Sequence, residues 1–168
     1  TVRYLHLLFA SFVFLLMQMV LAPKIAIGQI APDFSLLLVA YLAINRGAIP
    51  GSVAGFFVGF VQDLLNPELL GLNALTKSVI GYAMGIAGSK GEPGAVPFLA
   101  ALLAVSAAAH DFLYLLVYTD LNIGRFLVIF FTVALPSALY TAIVGVVVHK
   151  IALYSEAKVV KSFGKARL

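Results

Sequence analysis

Lys77, Asp63 and Asp111 are charged residues inside otherwise apolar stretches, with Asn73 and His110 close to them in sequence. Ionisable groups in such stretches pair with one another, line polar cavities, or mark ion and substrate pathways. Lys77 lies about seven residues into the fourth apolar segment and Asp111 about seven before the end of the fifth, so at about 1.5 Å per residue both sit about 10 Å below one boundary. That matching depth predicts a Lys77–Asp111 pair, with Asp63 as the other candidate partner. With so few charges present, a pair that fixes helix order is favoured over an ion or substrate pathway. His110 raises metal chemistry, but neighbouring helical residues point about 100° apart, and His6 and His149 belong to the opposite side. No metal site is expected. Ser11, Ser35, Ser52, Ser78 and Ser106 lack an arranged histidine and carboxylate, and no phosphate-binding glycine loop is present. The chain therefore reads as no enzyme and as needing no cofactor.

The elements that position these groups follow from composition. In 168 residues, 62% are hydrophobic and 11% charged, with a mean hydropathy of +1.07. Long apolar runs with short polar breaks signal an all-α integral membrane protein, because a spanning helix needs about 20 apolar residues. A β-barrel would show short stretches of alternating polarity instead. The absence of cysteine excludes disulfides and thiolate metal sites.

The stretch Arg46 to Asp63 carries Gly47, Gly51, Gly55 and Gly59 at steps of four. Positions four apart lie almost above one another on a helix, so the glycines predict a groove that receives another backbone. Such small-residue spacing marks helix packing in lipid, where association rests on close van der Waals contact. This segment reads as the central helix, with Phe56, Phe57, Phe60 and Val61 facing away from the groove. A second groove is expected from Gly81 and Gly85, in step with Asn73 and Lys77. Packing within the chain is favoured over docking of a partner's helix.

Six spans are expected within residues 1–150, followed by a basic tail over 151–168. The first runs from about Tyr4 to Ala22, too long for a signal-peptide core, and its large side chains place it at the periphery, with Gln18 its only strongly polar mid-span residue. Residues 23–32 form an apolar loop at the interface. The second helix starts near Pro32 and runs to Asn45, the third covers Ile49 to Leu65, the fourth Leu70 to Gly88 and the fifth Val96 to Tyr118. The sixth covers Arg125 to Lys150, with a kink expected at Pro136. Lys158, Lys161 and Lys165 give the tail an amphipathic helical face.

With both termini on one side, eight Lys and Arg residues fall there and three on the other. The positive-inside rule then makes both ends cytoplasmic. The net charge of +4 is thus explained by topology and anionic lipid, and no nucleic-acid partner is expected.

Pro32 opening an apolar helix, Tyr41, Arg46-Gly47, the ladder ending in Gly59 and Asp63, Leu70-Gly71-Leu72, Gly81-Tyr82 and Gly85 together resemble the bacterial rod shape-determining protein family MreD. The likeness is carried by about residues 30 to 90, and elsewhere by hydropathy alone. It implies a non-catalytic, multi-pass protein of the cytoplasmic membrane that binds the single membrane helix of MreC. With MreB it would serve RodA and its penicillin-binding transpeptidase in building lateral cell wall. Self-association is a further possibility. The resemblance also implies a six-helix bundle similar to the substrate-binding component of energy-coupling factor transporters. A vitamin-binding component of that kind is the main alternative, with Asp63, Asn73, Lys77 and Asp111 as ligand contacts and Tyr114 and Tyr118 as stacking rings. An ion-conducting oligomer is a third reading, weakened by a lysine at the depth where acidic rings would be needed.

Overall fold

Phe34–Arg46 is apolar on every face, and a helix of that kind belongs inside a bundle. The computed structural model describes residues 13–65, 67–91 and 95–165, with side chains through Tyr154 apart from Glu68. Its described residues form six helices. They are α1 (Val13–Lys24), α2 (Phe34–Arg46), α3 (Ala48–Leu65), α4 (Leu72–Lys90), α5 (Val96–Tyr118) and α6. The last is continuous from Ile123–Ile129 through a π-helical turn, Phe130–Ala134, into Leu135–Lys165.

The centre is α2, not α3. Leu36, Val39 and Ala43 are wholly buried, with Phe34, Leu38 and Ala40 close behind, and α2 touches α1, α3, α4, α5 and α6. By contrast α3 buries only its glycine edge and Val58 and Asp63, leaving Phe56 and Phe57 exposed at 47% and 62%. Glycine spacing marks a face of close approach, whereas all-round burial needs apolar residues on every side, and α2 meets that condition from Phe34 to Ala40. The expected second helix starts two residues later than Pro32, because Asp33 caps it: its carboxylate accepts from the Leu36 N–H at 2.8 Å. Gln18 of α1 accepts from the Phe34 N–H at 2.7 Å and the Ser35 N–H at 3.3 Å, so orphan donors of the first turn are satisfied from another helix.

Gly47 closes α2 at φ +94 and no side chain would meet a Cβ there. Its conformation serves the reversal into α3, and its backbone also lies against Gly85. Gly71, also at φ +94, makes the corresponding entry into α4. Pro136 is accommodated by the π-helical turn just before it, where the Leu135 N–H reaches back to Phe130 O, a local widening that re-pairs the backbone. At its end α6 runs unbroken through Lys165. The basic face expected from Lys158, Lys161 and Lys165 lies outside the described side chains, and residues 4–12 of the first expected span lie outside the described residues.

Three described helices are long and apolar enough to cross a membrane: Ala48–Leu65, Val96–Tyr118 and Ile123–Tyr154. Val13–Lys24 and Phe34–Arg46 are shorter apolar helices, and α4 is interrupted by Asn73, Thr76, Lys77 and Ser78. The six expected spans thus correspond to six helices of unequal length and polarity.

Candidate functional site

The polar residues of this bundle gather at the end where α2 and α4 begin, and the α3–α4 seam brings them there. The two helices run antiparallel, each step of four up α3 matched by a step of four down α4. A Cβ on Gly51 would lie 2.5 Å from Gly81 O, one on Gly55 would overlap the Lys77 and Ser78 backbone, and one on Gly59 the Asn73 and Ala74 backbone. Gly85 meets Ala48 and Gly47 in the same way. Between the ladders the Ser52 and Ser78 hydroxyls bond at 2.9 Å. This is the small-residue packing that lipid favours, backbone against backbone.

On the next step of that register stands Asp63, only 1% exposed. It accepts from the N–H groups of Gly71 (3.1 Å), Asn73 (3.1 Å) and Ala74 (2.9 Å). A buried carboxylate with three donors at a helix N-terminus is both satisfied and favoured by the helix dipole. Asp63 is therefore a cap for α4, supplied by α3, and not a partner of Lys77. Gly71 contributes both its conformation and its N–H to this cap. Asn73 takes part through its backbone.

Lys77, also 1% exposed, does not meet Asp111. Its Nζ lies 2.5 Å from Oδ2 of Asp33, while Oδ1 of Asp33 accepts from Ser35 Oγ at 2.5 Å and from Leu36 N–H. The Asp33 N–H in turn donates to Thr141 Oγ1 of α6 at 3.0 Å. Depth alone paired the wrong carboxylate because Asp33 stands outside the apolar helices. The signal was available, since an aspartate immediately before an apolar periodic run is a helix-start mark. Asp111 instead accepts from its neighbour: His110 Nδ1 and Asp111 Oδ1 are 3.0 Å apart, and His110 Nε2 is buried without a hydrogen-bond partner in the described structure.

Asp33 and Asp111 share one cavity of about 240 Å³ between the 23–33 segment, α5 and α6, whose walls include Tyr114, Ser137 and Thr141. The two carboxylates are 24% and 30% exposed. Tyr114 stands between His110 and Tyr118 in a stacked row with centroids 6.2 and 5.8 Å apart. Among the described residues no group of three or more His, Cys, Asp or Glu could hold a metal ion.

The comparisons with known proteins decide the family. The model of the family described as rod shape-determining protein MreD matches residues 1–154. The chain belongs to the MreD family. No curated protein and no solved structure matches it. The family assigns a part in rod shape determination and association with the shape-determining machinery and a membrane, in keeping with the three long apolar helices. It is a shape-determining component and not a known enzyme family.

Against that background the motif residues acquire structural roles. Pro32 is fully buried behind the Asp33 cap. Arg46 ends α2, where a cation meets the carbonyl end of the helix. Gly71 shapes the entry to α4. The aromatic side of α3 remains outward, with Phe56 and Phe60 stacked at 6.1 Å and Phe57 edge-on to Phe56 at 5.7 Å.

Proposed function

We propose that the protein is a non-catalytic membrane scaffold and regulator of the bacterial cell-elongation complex. In this reading it spans the cytoplasmic membrane several times with both termini inside, residues 1–150 forming the membrane domain and 151–168 a basic segment at the inner surface. It acts through the membrane helix of MreC on RodA and its penicillin-binding transpeptidase, in concert with MreB. The observation that carries the reading is the family match over residues 1–154. The structure is in keeping with it: Lys77, Asp63 and Asp33 are engaged in holding helices together, as a bundle presenting a fixed surface requires.

The aromatic row of α3 is the surface we assign to MreC. It is rigid, exposed and aromatic, the composition enriched at the centres of interfaces. A vitamin-carrying component is the weaker account, since no comparison supports it: the cavity that Asp111 lines, about 240 Å³, is below the roughly 300–1,000 Å³ of sites that engulf drug-sized ligands, and a larger, mainly apolar cavity of about 480 Å³ is lined by none of Asp63, Asn73, Lys77 and Asp111.

The test is photo-crosslinking in native membranes from Phe57, with buried Val58 as control, followed by mass spectrometry. MreC, with RodA or its transpeptidase, is the expected catch from Phe57 and not from Val58. A transporter coupling subunit with its ATPases would overturn the assignment. Cross-links to MreC only from α1, for example at exposed Met19, would move the docking face, and cross-links to a second copy would assign the row to self-association.

A further inference from the structure

Two carboxylates line the cavity beside Asp33, and one of them has a lysine as its partner. Asp33 has Lys77 as its counterion. Asp111 has no lysine or arginine within ion-pair distance among the described residues, its near neighbour being the His110 imidazole. Lys77 is thus the one lysine or arginine paired here, set against two carboxylates. A carboxylate in a mainly apolar setting is costly unless it is paired, and Asp111 lines open space instead of another side chain's charge.

A second observation concerns the wall opposite. Val133 and Ala134 line the cavity from within the π-helical turn Phe130–Ala134. Such turns are rare and occur often at functional sites. Here the widened turn contributes small and medium side chains to a cavity that Ala107 and Asp111 of α5 also line. The remaining polar lining includes Gln29 and Ser137, whose side chains carry oxygen acceptors, and Thr141, whose hydroxyl is engaged by the Asp33 N–H; the Tyr114 ring adds an aromatic wall.

We propose that this cavity binds a primary ammonium group, with Asp111 as its counterion. An ammonium carries three N–H donors, and the lining offers a carboxylate, hydroxyl and amide oxygens to accept them. An aromatic wall suits a cation as well. A volume of about 240 Å³ accommodates the amine end of a ligand more readily than a whole metabolite. The same chemistry is met by a soluble amine and by the headgroup of phosphatidylethanolamine reaching in from the bilayer.

The experiment uses the full chain in nanodiscs. Native mass spectrometry counts retained phosphatidylethanolamine against phosphatidylcholine in mixed-lipid discs, and calorimetry titrates ethanolamine into discs of phosphatidylglycerol alone. Preferential retention of phosphatidylethanolamine, lowered at least tenfold by Asp111→Asn and unchanged by Asp120→Asn in the α5–α6 turn, is the expected result and assigns the lipid headgroup. Ethanolamine binding with the same dependence on Asp111 but no lipid preference assigns a soluble amine. Should Asp111→Asn fail to fold, Ala107→Met fills the cavity while keeping the carboxylate, and it must abolish binding. No amine binding to the native chain, or binding indifferent to both substitutions, overturns the proposal.

Discussion

Replacing Lys77 by Met tests the reading of the buried ion pair most directly. The substitution keeps length and apolar bulk but removes the charge, leaving Asp33 with Ser35 Oγ and the Leu36 N–H on one oxygen and nothing on the other. Removing one partner of a buried pair costs about 3–5 kcal/mol, mostly because the other charge is stranded. Asp33 keeps 24% exposure, so water offsets part of that and about 3 kcal/mol is expected. In Lys77→Met with Asp33→Asn no charge is stranded, and the asparagine oxygen still caps α2. The double variant should therefore lose only about 1–2 kcal/mol, less than Lys77→Met alone and well short of the sum of the two single losses, because Asp33→Asn by itself strands Lys77 at 1% exposure. Reversible unfolding in mixed micelles, followed by far-ultraviolet circular dichroism, measures all four corners of the cycle. The same cycle with Asp111→Asn should be additive within about 0.5 kcal/mol. Additivity with Asp33 together with coupling to Asp111 would refute the pairing and restore the one that depth suggests.

Gly55→Ala forces a Cβ into the Lys77 backbone and should cost about 1–3 kcal/mol by overpacking. Gly47→Ala should cost a similar amount through its φ of +94 alone. The two are separated by disulfide formation between Ser52→Cys and Ser78→Cys, in a chain with no cysteine of its own: Gly55→Ala slows it, Gly47→Ala leaves it unchanged. Asp63→Ala strands three backbone donors and should lose about 2 kcal/mol or more, the upper range for a cap. Hydrogen exchange should accelerate at Asn73 and Ala74 while the α5 amides keep their protection. Gln18→Leu should expose the Phe34 and Ser35 amides to exchange, and Gln18→Glu should not, since it keeps the acceptor and adds a charge favoured at a helix N-terminus.

What was legible from the sequence was whatever a single helix decides. The glycine ladder and its register partner were visible because steps of four on one helix are visible, and the outward aromatic row followed from the same wheel. The centrality of α2 was not, because burial on all sides depends on what the other helices do. Asp33 was missed as Lys77's partner because the match was sought among residues at equal depth inside apolar runs. The partner is a capping residue of a short helix, brought to Lys77 when α2 packs between α3 and α4. Gln18 was singled out as polar, yet its role needed the tertiary contact that places α1 over the first turn of α2. Asp63 drew attention as an intramembrane charge, whereas three backbone donors turn it into a cap.

The two halves of the bundle are built on different terms, and this bears on where the protein is able to respond. In the α3–α4 half the ladders bring backbone against backbone with no room for a Cβ at Gly51, Gly55, Gly59, Gly81 or Gly85. Sliding one helix along the other would lose all of these contacts together, so this half acts as one stiff unit. The half formed by α2, α5 and α6 is packed through side chains such as Leu37 and Leu103 against Gly145, and it retains a cavity. There α6 carries a π-helical turn, and the α5–α6 turn holds Asp120 and Leu121 at φ +52 and +58, a conformation unfavourable for side chains larger than glycine's hydrogen. An occupant of the cavity would meet Val133 and Ala134 of the widened turn, and any shift of that turn would carry the rest of α6 with it. The aromatic row on α3 would stay in place, held by its seam with α4. The fold thus combines a close-packed seam behind the outward aromatic row with a cavity lined by side chains on the far side of α2.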